Sequence, residues 1–256
     1  MARISPTLTI PALHDTHCHV DLYPDPAAIV RGAEQSGVYT IAVTTTPSVF
    51  GHLERLVAGC RYVRAAIGLH PELAAQRHGE LPLFHAALPR TRYVGEVGLD
   101  YVTHNEADRA TQRRVLDEIV AACDAAGEKI VTAHSRRAAD DVVDAFGPAF
   151  RGVLILHWYT GSARTLRRAL GNGAYVSVNP AMIASERGRR IVSEVPRDRI
   201  LLESDGPFVP LGGVREGPPT RPEDAGETAQ ALAAAWGVPT TEAIAVLTAS
   251  FRQVLK

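Results

Sequence analysis

The chain has 256 residues, of which 46% are hydrophobic and 21% are charged, and this composition excludes a disordered chain. Its formal net charge of -1 excludes a strong overall basic field, so any anionic substrate must be bound by local groups.

The N-terminal segment, residues 1–20, contains few apolar positions, and Pro6, Pro11 and His14 interrupt them. It is too short and too broken for a signal peptide or a membrane span. The cysteines are odd in number and far apart, which fits neither a disulfide framework nor a cysteine-rich zinc module: Cys18, Cys60 and Cys123. We therefore expect a cytoplasmic protein with no membrane partner.

Eight runs rich in β-branched residues or leucine alternate with amphipathic stretches, which predicts repeated βα units. The runs span residues 13–16, 38–45, 62–69, 93–97, 129–133, 152–156, 174–178 and 199–202. Helices are predicted at residues 26–35, 106–126, 136–146, 162–171 and 185–195. Pro26 suits a first helical turn, and Ser162 and Ser185 suit N-caps.

Strands that are apolar almost throughout and alternate with helices predict a parallel sheet covered on both faces. Eight such units in a chain of this length predict an α/β fold with a single (βα)8 TIM barrel as one domain over residues 1–256. An open doubly wound sheet is the alternative. Residues 212–222, rich in Gly and Pro, predict a loop that rims the active site, and residues 223–236 and 240–255 predict two C-terminal closing helices.

Side chains that bind metal ions recur near the C-terminal ends of the predicted strands. They are His17, His19, Glu96, His134, His157 and Asp205. In a (βα)8 barrel these strand ends all lie on one face, so residues far apart in the sequence converge on one cavity.

Imidazoles and carboxylates are ligands for Zn, Mn, Fe or Mg. Because alternate residues of an extended segment point the same way, His17 and His19 can bind one ion, and Glu96 can bridge two. Two ions about 3.5 to 4 Å apart polarise a phosphoryl oxygen, hold an activated water and stabilise the leaving oxygen. The pattern predicts a hydrolase with two divalent metal ions, Mg, Mn or Zn.

Each of these residues also has a plainer interpretation when taken alone. A His-x-His pair arises by chance in roughly a third of sequences with this many histidines. His134 and His157 fit hydrogen-bonded core or surface histidines. Glu96 costs several kcal/mol in a buried strand unless it is in a salt bridge or on a metal. The conjunction of all six residues carries the inference.

The segments around these residues resemble the TatD family of metal-dependent deoxyribonucleases. The matching motifs are Asp15-Thr16-His17-Cys18-His19-Val20-Asp21, Gly68-Leu69-His70-Pro71, Val94-Gly95-Glu96-Val97-Gly98-Leu99-Asp100-Tyr101, Ala133-His134-Ser135-Arg136, His157-Trp158-Tyr159-Thr160-Gly161-Ser162 and Leu201-Leu202-Glu203-Ser204-Asp205-Gly206-Pro207-Phe208. The resemblance implies a (βα)8 barrel with a first metal on His17, His19, Glu96 and Asp205 and a second on Glu96, His134 and His157. It also implies 3′ to 5′ exonuclease cleavage of DNA phosphodiesters at single-stranded ends.

With that activity, Asp205 and Glu96 are the expected catalytic residues, and Asp205 orients or deprotonates the attacking water. His70 and Arg136 are expected to contact the substrate phosphate, and Tyr101 and Trp158 to stack on bases. A solvated helix start for the arginine and core packing for the aromatic residues are the alternatives. Asp15 is expected to orient a histidine rather than bind metal.

Some positions depart from the family pattern and bear on the substrate: Glu72, Trp158-Tyr159 and Asn179-Pro180-Ala181-Met182. Residues 21–26 and His157-Trp158 resemble the TatD-type nuclease of bacterial Qat anti-phage systems, which implies defence-linked DNA and defence-complex proteins as partners. Two other functions fit the same residues: a hydrolase of another ester or amide, such as an aminoacyl-tRNA ester, and a metal-stabilised, non-catalytic subunit of a defence complex.

Overall fold

The computed structural model describes residues 13–213 and 216–256, and strands alternate with helices along them. The strands are β1 (His14–Cys18), β2 (Tyr39–Ala42), β3 (Val63–Ala65), β4 (Tyr93–Gly98), β5 (Ile130–His134), β6 (Val153–Leu156), β7 (Tyr175–Val178) and β8 (Ile200–Leu202). The helices are α1 (Pro26–Ser36), α2 (Pro47–Leu56), α3 (Ala74–Arg77), α4 (Leu81–Ala87), α5 (Glu106–Ala126), α6 (Ala139–Phe146), α7 (Ala163–Gly171), α8 (Pro180–Ala184), α9 (Glu186–Glu194), α10 (Ala225–Trp236) and α11 (Thr240–Val254).

The strands pair in parallel and in chain order, as β1-β2-β3 in one sheet and β4-β5-β6-β7-β8 in another. A parallel bridge between Ile67 and Val94, together with backbone hydrogen bonds between Thr44 and the Gly95-Glu96 pair, connects the two sheets. On the other side, the Leu202 N–H donates to His14 Nε2 over 3.0 Å, and Thr16 Oγ1 donates to the Leu202 carbonyl over 3.1 Å. The fold is therefore α/β with parallel sheets, as predicted.

Side chains from most of the strands meet in one buried apolar cluster that the last helix covers. Its members are Tyr39, Ile41, Val43, Ala66, Tyr93, Ile130, Ile155, Tyr175, Leu201, Phe251 and Val254. The Tyr39 and Tyr93 hydroxyls lie 2.5 Å apart, which links β2 to β4. Since each large apolar side chain contributes about 1.5 to 3 kcal/mol when fully buried, this cluster holds the strands and α11 together.

The helices begin and end where local chemistry dictates. The Asp25 side chain accepts the Ala28 N–H over 2.9 Å at the start of α1, and Gly37 ends that helix with a left-handed φ of 65°. Ser162 and Ser185 cap α7 and α9, as predicted. Asn105 accepts two backbone N–H groups at the start of α5, so an N-cap side chain sets the start of each of these four helices.

Differences between predicted and observed elements have identifiable causes. Observed β2 and β3 are shorter than the apolar runs at 38–45 and 62–69, because their regular pairing ends at Ala42 and Ala65 and residues beyond them bond to the β4 segment instead. Helix α6 begins at Ala139 rather than at residue 136, because Arg137 has a left-handed φ of 56° that no α-helix contains. Helices α2, α3, α4 and α8 were not predicted, and Ser185 separates α8 from the predicted α9.

The predicted loop at 212–222 contains an antiparallel bridge from Pro219 to Pro210, and residues 214–215 lie outside the described part. The prediction that the N-terminal segment is neither a signal peptide nor a membrane span concerns mostly residues 1–12, which also lie outside the described part. Within residues 13–213 and 216–256, no single helix is long and apolar enough to cross a membrane. Pro222–Trp236 and Thr240–Val254 pass that test only together, with a 110° bend between them.

Candidate metal centre

A cavity of about 520 Å³ opens at the C-terminal ends of the strands. We call it the metal cavity; the residues that line it include His19, His70, Glu96, His134, His157 and Asp205. His17, which is fully buried, lies directly below. The structure therefore brings all six predicted metal ligands together, although the sequence separates His17 from Asp205 by most of the chain.

His17 and His19 project from β1 and the residue after it toward one oxygen of Glu96. Their Nε2 atoms lie 3.3 Å apart and 3.5 and 3.1 Å from Glu96 Oε2. Asp205 Oδ1 is 3.9 Å from His17 Nε2 and 3.8 Å from His19 Nε2. Thr132 Oγ1 lies 2.7 Å from His17 Nδ1 and fixes the ring. Burial, together with the stacked His157 ring, lowers the pKa of His17 to about 3, which keeps a neutral imidazole at this position.

The other oxygen of Glu96 faces a separate group of histidines. Oε1 lies 2.7 Å from His134 Nδ1, 3.4 Å from His70 Nε2 and 3.7 Å from His157 Nε2. Burial works against the charged form, but the charge of His70 and hydrogen bonds from His134 and His17 hold the pKa of Glu96 well below its usual value. Glu96 is thus an ionised carboxylate with a distinct set of imidazoles at each oxygen.

Glu203 is a buried carboxylate that orients His157. Its Oε2 lies 3.0 Å from His157 Nδ1, and its Oε1 accepts the Trp158 N–H and the Asn179 side-chain amide, each over 3.0 Å. Ser177 donates to the same carboxylate. Burial favours neutral His157, but the Glu203 charge outweighs it and raises the pKa of His157 to about 10. The arrangement directs His157 Nε2 toward the metal cavity.

His134 has a comparable partner on its far side, since its Nε2 lies 2.8 Å from Asp100 Oδ2. Asp100 is itself held in place because its backbone N–H donates to Gln112 and its Oδ1 accepts the Val102 N–H. Burial would lower the pKa of His134, but the hydrogen bonds to Asp100 and Glu96 raise it to about 9. His134 therefore spans two carboxylates.

Asp205 lies in the turn after β8, where its backbone N–H donates to the His17 carbonyl over 2.9 Å. Burial raises the pKa of Asp205 well above its usual value, and the nearby charges of Glu203 and Glu96 raise it further. Asp15 Oδ1 accepts the backbone N–H groups of His17 and Ser204. Asp15, which is predicted to orient a histidine, contacts His17 through the backbone N–H rather than the ring, and it also joins β1 to the turn that carries Asp205.

Unusual backbone geometry is concentrated near the site. Among the described residues, four non-glycine positions have a left-handed φ, and three of them are near the cavity: Arg137, Trp158 and Asp205. Such a conformation costs about 1 kcal/mol or more at a non-glycine residue and is kept where the surroundings fix it. The turns after β5, β6 and β8 therefore hold their side chains in defined positions.

The residues predicted to contact substrate are divided between two places. His70, Arg136 and Trp158 line the metal cavity. Tyr101 does not. Its ring lies against the guanidinium groups of Arg109 and Arg113, and its hydroxyl donates to Asp141 over 2.6 Å. Tyr101 instead lines a neighbouring depression, so its predicted stacking on a base stays a prediction.

Sequence reasoning missed three residues at the site. Glu203 and Asp100 adjoin predicted residues in the motifs, but their role depends on facing His157 and His134, which follow or end other strands of the sheet. Phe208 lines the metal cavity with its side chain in edge contact with His19, and it is 60% exposed. The position of Phe208, directly after Asp205-Gly206-Pro207, was the sequence signal that could have placed it at the site.

Three groups of side chains have nitrogen or oxygen atoms within 4.8 Å of one another, close enough to share an ion. They are His17-His19-Glu96, His17-His157-Glu203 and His70-Glu96-His134. The donors are imidazole nitrogens and carboxylate oxygens, a set that suits Zn, Mn or Mg. The buried Nδ1 of His19 has no hydrogen-bond partner among the described residues. The donor set fits a divalent ion.

Parallel α/β folding with histidines and carboxylates converging at the strand ends is the arrangement of metal-dependent hydrolases. The model of the family described as TatD related DNase matches residues 14–256 of this chain. The chain belongs to the TatD family, which confirms the resemblance predicted from its motifs.

Individual relatives agree with that family. The metal-dependent hydrolase YjjV of Escherichia coli K12 is 30% identical over 224 residues, which cover 82% of this chain and 85% of YjjV. Its crystal structure matches with a TM-score of 0.84 over 96% of this chain and 98% of that one, at 28% identity. A protein of Erwinia tasmaniensis named 3′-5′ ssDNA/RNA exonuclease TatD is 26% identical over 203 residues, covering 75% and 78% of the two chains.

Proposed function

We propose that this protein hydrolyses phosphodiester bonds of DNA as a 3′ to 5′ exonuclease on single-stranded ends, using two divalent metal ions. The observation that carries the proposal is the placement of Glu96. One of its oxygens faces His17 and His19, and the other faces His134 and His157. A carboxylate that bridges two ions requires this arrangement of two ligand sets.

The first ion would be held by His17, His19, Glu96 and Asp205, and the second by Glu96, His134 and His157. Ions bound there supply Lewis acidity and lower the pKa of a water molecule, whether they are Mg, Mn or Zn. Glu203 and Asp100 keep the rings of His157 and His134 in position, as carboxylate partners of metal-binding histidines do.

The chain's own residues bind and orient the substrate. Asp205, a carboxylate at the cavity wall, accepts the proton of the attacking water. Arg136 and His70 line the cavity and are placed to bind the phosphate oxygens. Trp158 and Phe208 offer aromatic surface for the terminal base, which suits a single strand because its bases are unstacked.

We further infer that the strands form a closed (βα)8 barrel within one domain over residues 1–256. The shared apolar cluster supports closure, because strands β2 and β4 to β8 all contribute to it. The hydrogen bonds between β8 and β1 support it as well. This barrel is the scaffold that places strand ends on one face.

The proposed substrate is inferred from the names of relatives and from residues near the metal cavity. Proteins named 3′-5′ ssDNA/RNA exonuclease are among the curated relatives, which supports a single-stranded substrate. The Qat-like features at 21–26 and His157-Trp158 support our further proposal of a cytoplasmic role in anti-phage defence with partner proteins. Hydrolysis of an aminoacyl-tRNA ester and a non-catalytic role are the competing functions, and cleavage assays separate them.

The test is to incubate the manganese-loaded protein with a 5′-labelled single-stranded oligonucleotide and to follow the products on a gel. We expect a descending ladder that a chelator stops and that a blocked 3′ end prevents. Glu96→Ala should lower the rate more than about a hundredfold, beyond the loss typical of an outer-sphere partner. Glu242→Ala, an exposed carboxylate in α11, is the control and should keep the wild-type rate.

Three outcomes would overturn the proposal. Release of amino acid from aminoacyl-tRNA without shortening of any nucleic acid would favour the ester hydrolase. Bound metal without turnover on any nucleic acid or ester would favour the non-catalytic subunit. Equal activity in Glu96→Ala and Glu242→Ala would place the active site elsewhere.

A further inference from the structure

A second depression lies beside the metal cavity and continues from it. It encloses about 760 Å³ and shares Arg136 and Thr160 with the metal cavity. Arg137, in the turn after β5, and Arg187, in α9, also line it. We call it the basic depression. Because the two cavities share a wall, a polymeric ligand bound at one cavity would extend directly into the other.

The two acidic residues that line the basic depression, Asp140 and Asp141, accept hydrogen bonds from side chains other than its arginines. Asp140 pairs with Arg168 over 3.1 Å and accepts the Thr165 hydroxyl over 2.8 Å. Asp141 accepts the Tyr101 hydroxyl over 2.6 Å. These contacts draw both carboxylates toward α7 and Tyr101, so neither is paired with an arginine that lines the depression.

Three arginines of the depression, by contrast, have no acidic partner. Among residues 13–213 and 216–256, no carboxylate oxygen lies within 4.0 Å of the Arg136, Arg137 or Arg187 guanidinium. Arg167 and Arg168, on the neighbouring α7, pair with Glu194 and Asp140. Within the described part of the chain, the arginines that line the depression are therefore free of ion pairs, whereas those of the neighbouring α7 are paired, and they outnumber the one unpaired carboxylate, Asp141.

The backbone keeps two of these arginines at the depression. Arg187 donates to the Thr160 carbonyl, at the wall that the two cavities share. Arg137 has a left-handed φ of 56°, a conformation that glycine or asparagine adopts at lower cost. A charged side chain is thus present at a position where the backbone favours other residues.

We propose that the basic depression binds a backbone phosphate of a single-stranded nucleic acid, next to the phosphodiester at the metal cavity, through Arg137 and Arg187. This inference rests on the proposed function and extends it from one phosphodiester to a longer strand. Guanidinium groups suit this role because their planar donors match two phosphate oxygens at once. Phosphate contacts of this kind position the strand without reading its sequence.

The test compares the double variant Arg137→Gln/Arg187→Gln with wild type, using Arg190→Gln as the matched control. Arg190 is exposed on the same helix as Arg187 and does not line the depression. The probe is a fluorescein-labelled single strand of about ten nucleotides with phosphorothioate linkages, bound to metal-loaded protein and followed by anisotropy at several salt concentrations. The double variant should bind about tenfold more weakly, and log K against log salt should be shallower by about 0.7 for each phosphate that the variant no longer binds.

A small diester separates this role from an effect on the metals or on folding. Bis(p-nitrophenyl) phosphate reaches only the metal cavity, so the double variant should hydrolyse it with kcat/KM within about twofold of wild type, since neither arginine touches it. Wild-type affinity and salt dependence in the double variant would overturn the inference. An equal decrease on the small diester would also overturn it. Failure of the wild type to cleave any diester would instead refute the proposed function, and the salt dependence would still report on the depression.

Discussion

Glu203, like His17, is buried beneath the metal cavity and does not line it. It is almost fully enclosed, and it holds His157 Nδ1 at 3.0 Å and the Trp158 N–H at 3.0 Å. Because the partner of one imidazole nitrogen decides which way the other nitrogen points, Glu203 controls the geometry of His157.

Replacing Glu203 with Gln is expected to weaken metal binding by about 10- to 100-fold, because a neutral amide oxygen is a weaker acceptor for the His157 Nδ1–H than a carboxylate and raises the basicity of the ring less. Metal affinity measured by titration, together with kcat at saturating metal, checks this expectation. Glu194→Gln, an exposed carboxylate in α9, is the control. A merely structural role would lower the melting temperature of the chelated protein and leave metal affinity at the wild-type value.

Phe208 provides the second prediction at the residue scale. Its side chain is 60% exposed at the cavity rim, and base stacking on an aromatic side chain contributes about 1 to 3 kcal/mol. Phe208→Ala should therefore raise KM for a single-stranded oligonucleotide by about fivefold or more while leaving kcat/KM for bis(p-nitrophenyl) phosphate unchanged. Leu83→Ala, which removes another exposed apolar side chain, should change neither value. An unchanged KM in Phe208→Ala would exclude stacking at this position.

The limits of prediction at this scale follow from what a sequence displays. Ligand types near strand ends are visible in the sequence, and the structure gathers His17, Glu96 and Asp205 at one cavity. Partners across strands are not visible, because the contact of Glu203 with His157 depends on the spacing of β6 and β8. The position of Tyr101 outside the metal cavity is not visible for the same reason, since its contacts with Arg109 and Arg113 of α5 depend on the fold.

At the scale of elements, the contact between β1, β8 and α11 is built around His14. The His14 ring stacks on Phe251 with centroids 4.4 Å apart, and its Nε2 accepts the Leu202 N–H. Burial lowers the pKa of His14 to about 3. The folded protein therefore keeps this imidazole neutral at pH values where the unfolded chain protonates it.

This depressed pKa makes stability depend on pH in a defined direction. Below the unfolded pKa of about 6.5 the unfolded state binds one more proton, so stability falls by about 1.4 kcal/mol per pH unit as the pH decreases toward 3. Between pH 8 and pH 5, His14 should account for a decrease in stability of about 2 kcal/mol. Urea unfolding of the chelated His14→Gln variant should show a pH dependence smaller by that amount.

His104→Gln, a change at an exposed histidine, should keep the wild-type pH dependence. His14→Gln is also expected to be less stable at pH 8, because glutamine cannot stack on Phe251. The comparison therefore rests on the difference between the two pH values. An identical difference in His14→Gln and wild type would contradict the assignment.

The bounds of a helix are predicted best where residues at its own ends, such as an N-cap, determine them. The predicted helix at 106–126 coincides with α5, whose start is set by the Asn105 cap. The start of α6 differs from the prediction because the left-handed conformation of Arg137 arises from its surroundings at the cavity. The runs at 38–45 and 62–69 extend beyond β2 and β3, because Val43 and Ala66 still pack in the shared apolar cluster after the regular pairing of the two strands has ended.

For the whole molecule, the proposed metal ligands affect stability because they lie at strand ends in both sheets. They come from the ends of β1, β4, β5, β6 and β8, so an ion bound among them connects strands from both sheets. Local opening of any of those strands would deprive the bound ion of a ligand. Metal binding is therefore coupled to the stability of the entire fold.

We expect divalent metal to raise the melting temperature of the chelated protein in a concentration-dependent way. A ligand that binds only the folded state adds about 4 kcal/mol at a thousand times its Kd, and each kcal/mol raises the melting temperature by about 2 to 4 °C for a protein near this size. Glu96→Ala should abolish most of this shift, because both proposed ions lose a ligand, whereas Glu242→Ala should keep it. Scanning calorimetry over a manganese titration measures the shift. The same shift in Glu96→Ala and wild type would mean that the stabilising ion binds outside the metal cavity, and the two-ion arrangement around Glu96 would have to be abandoned.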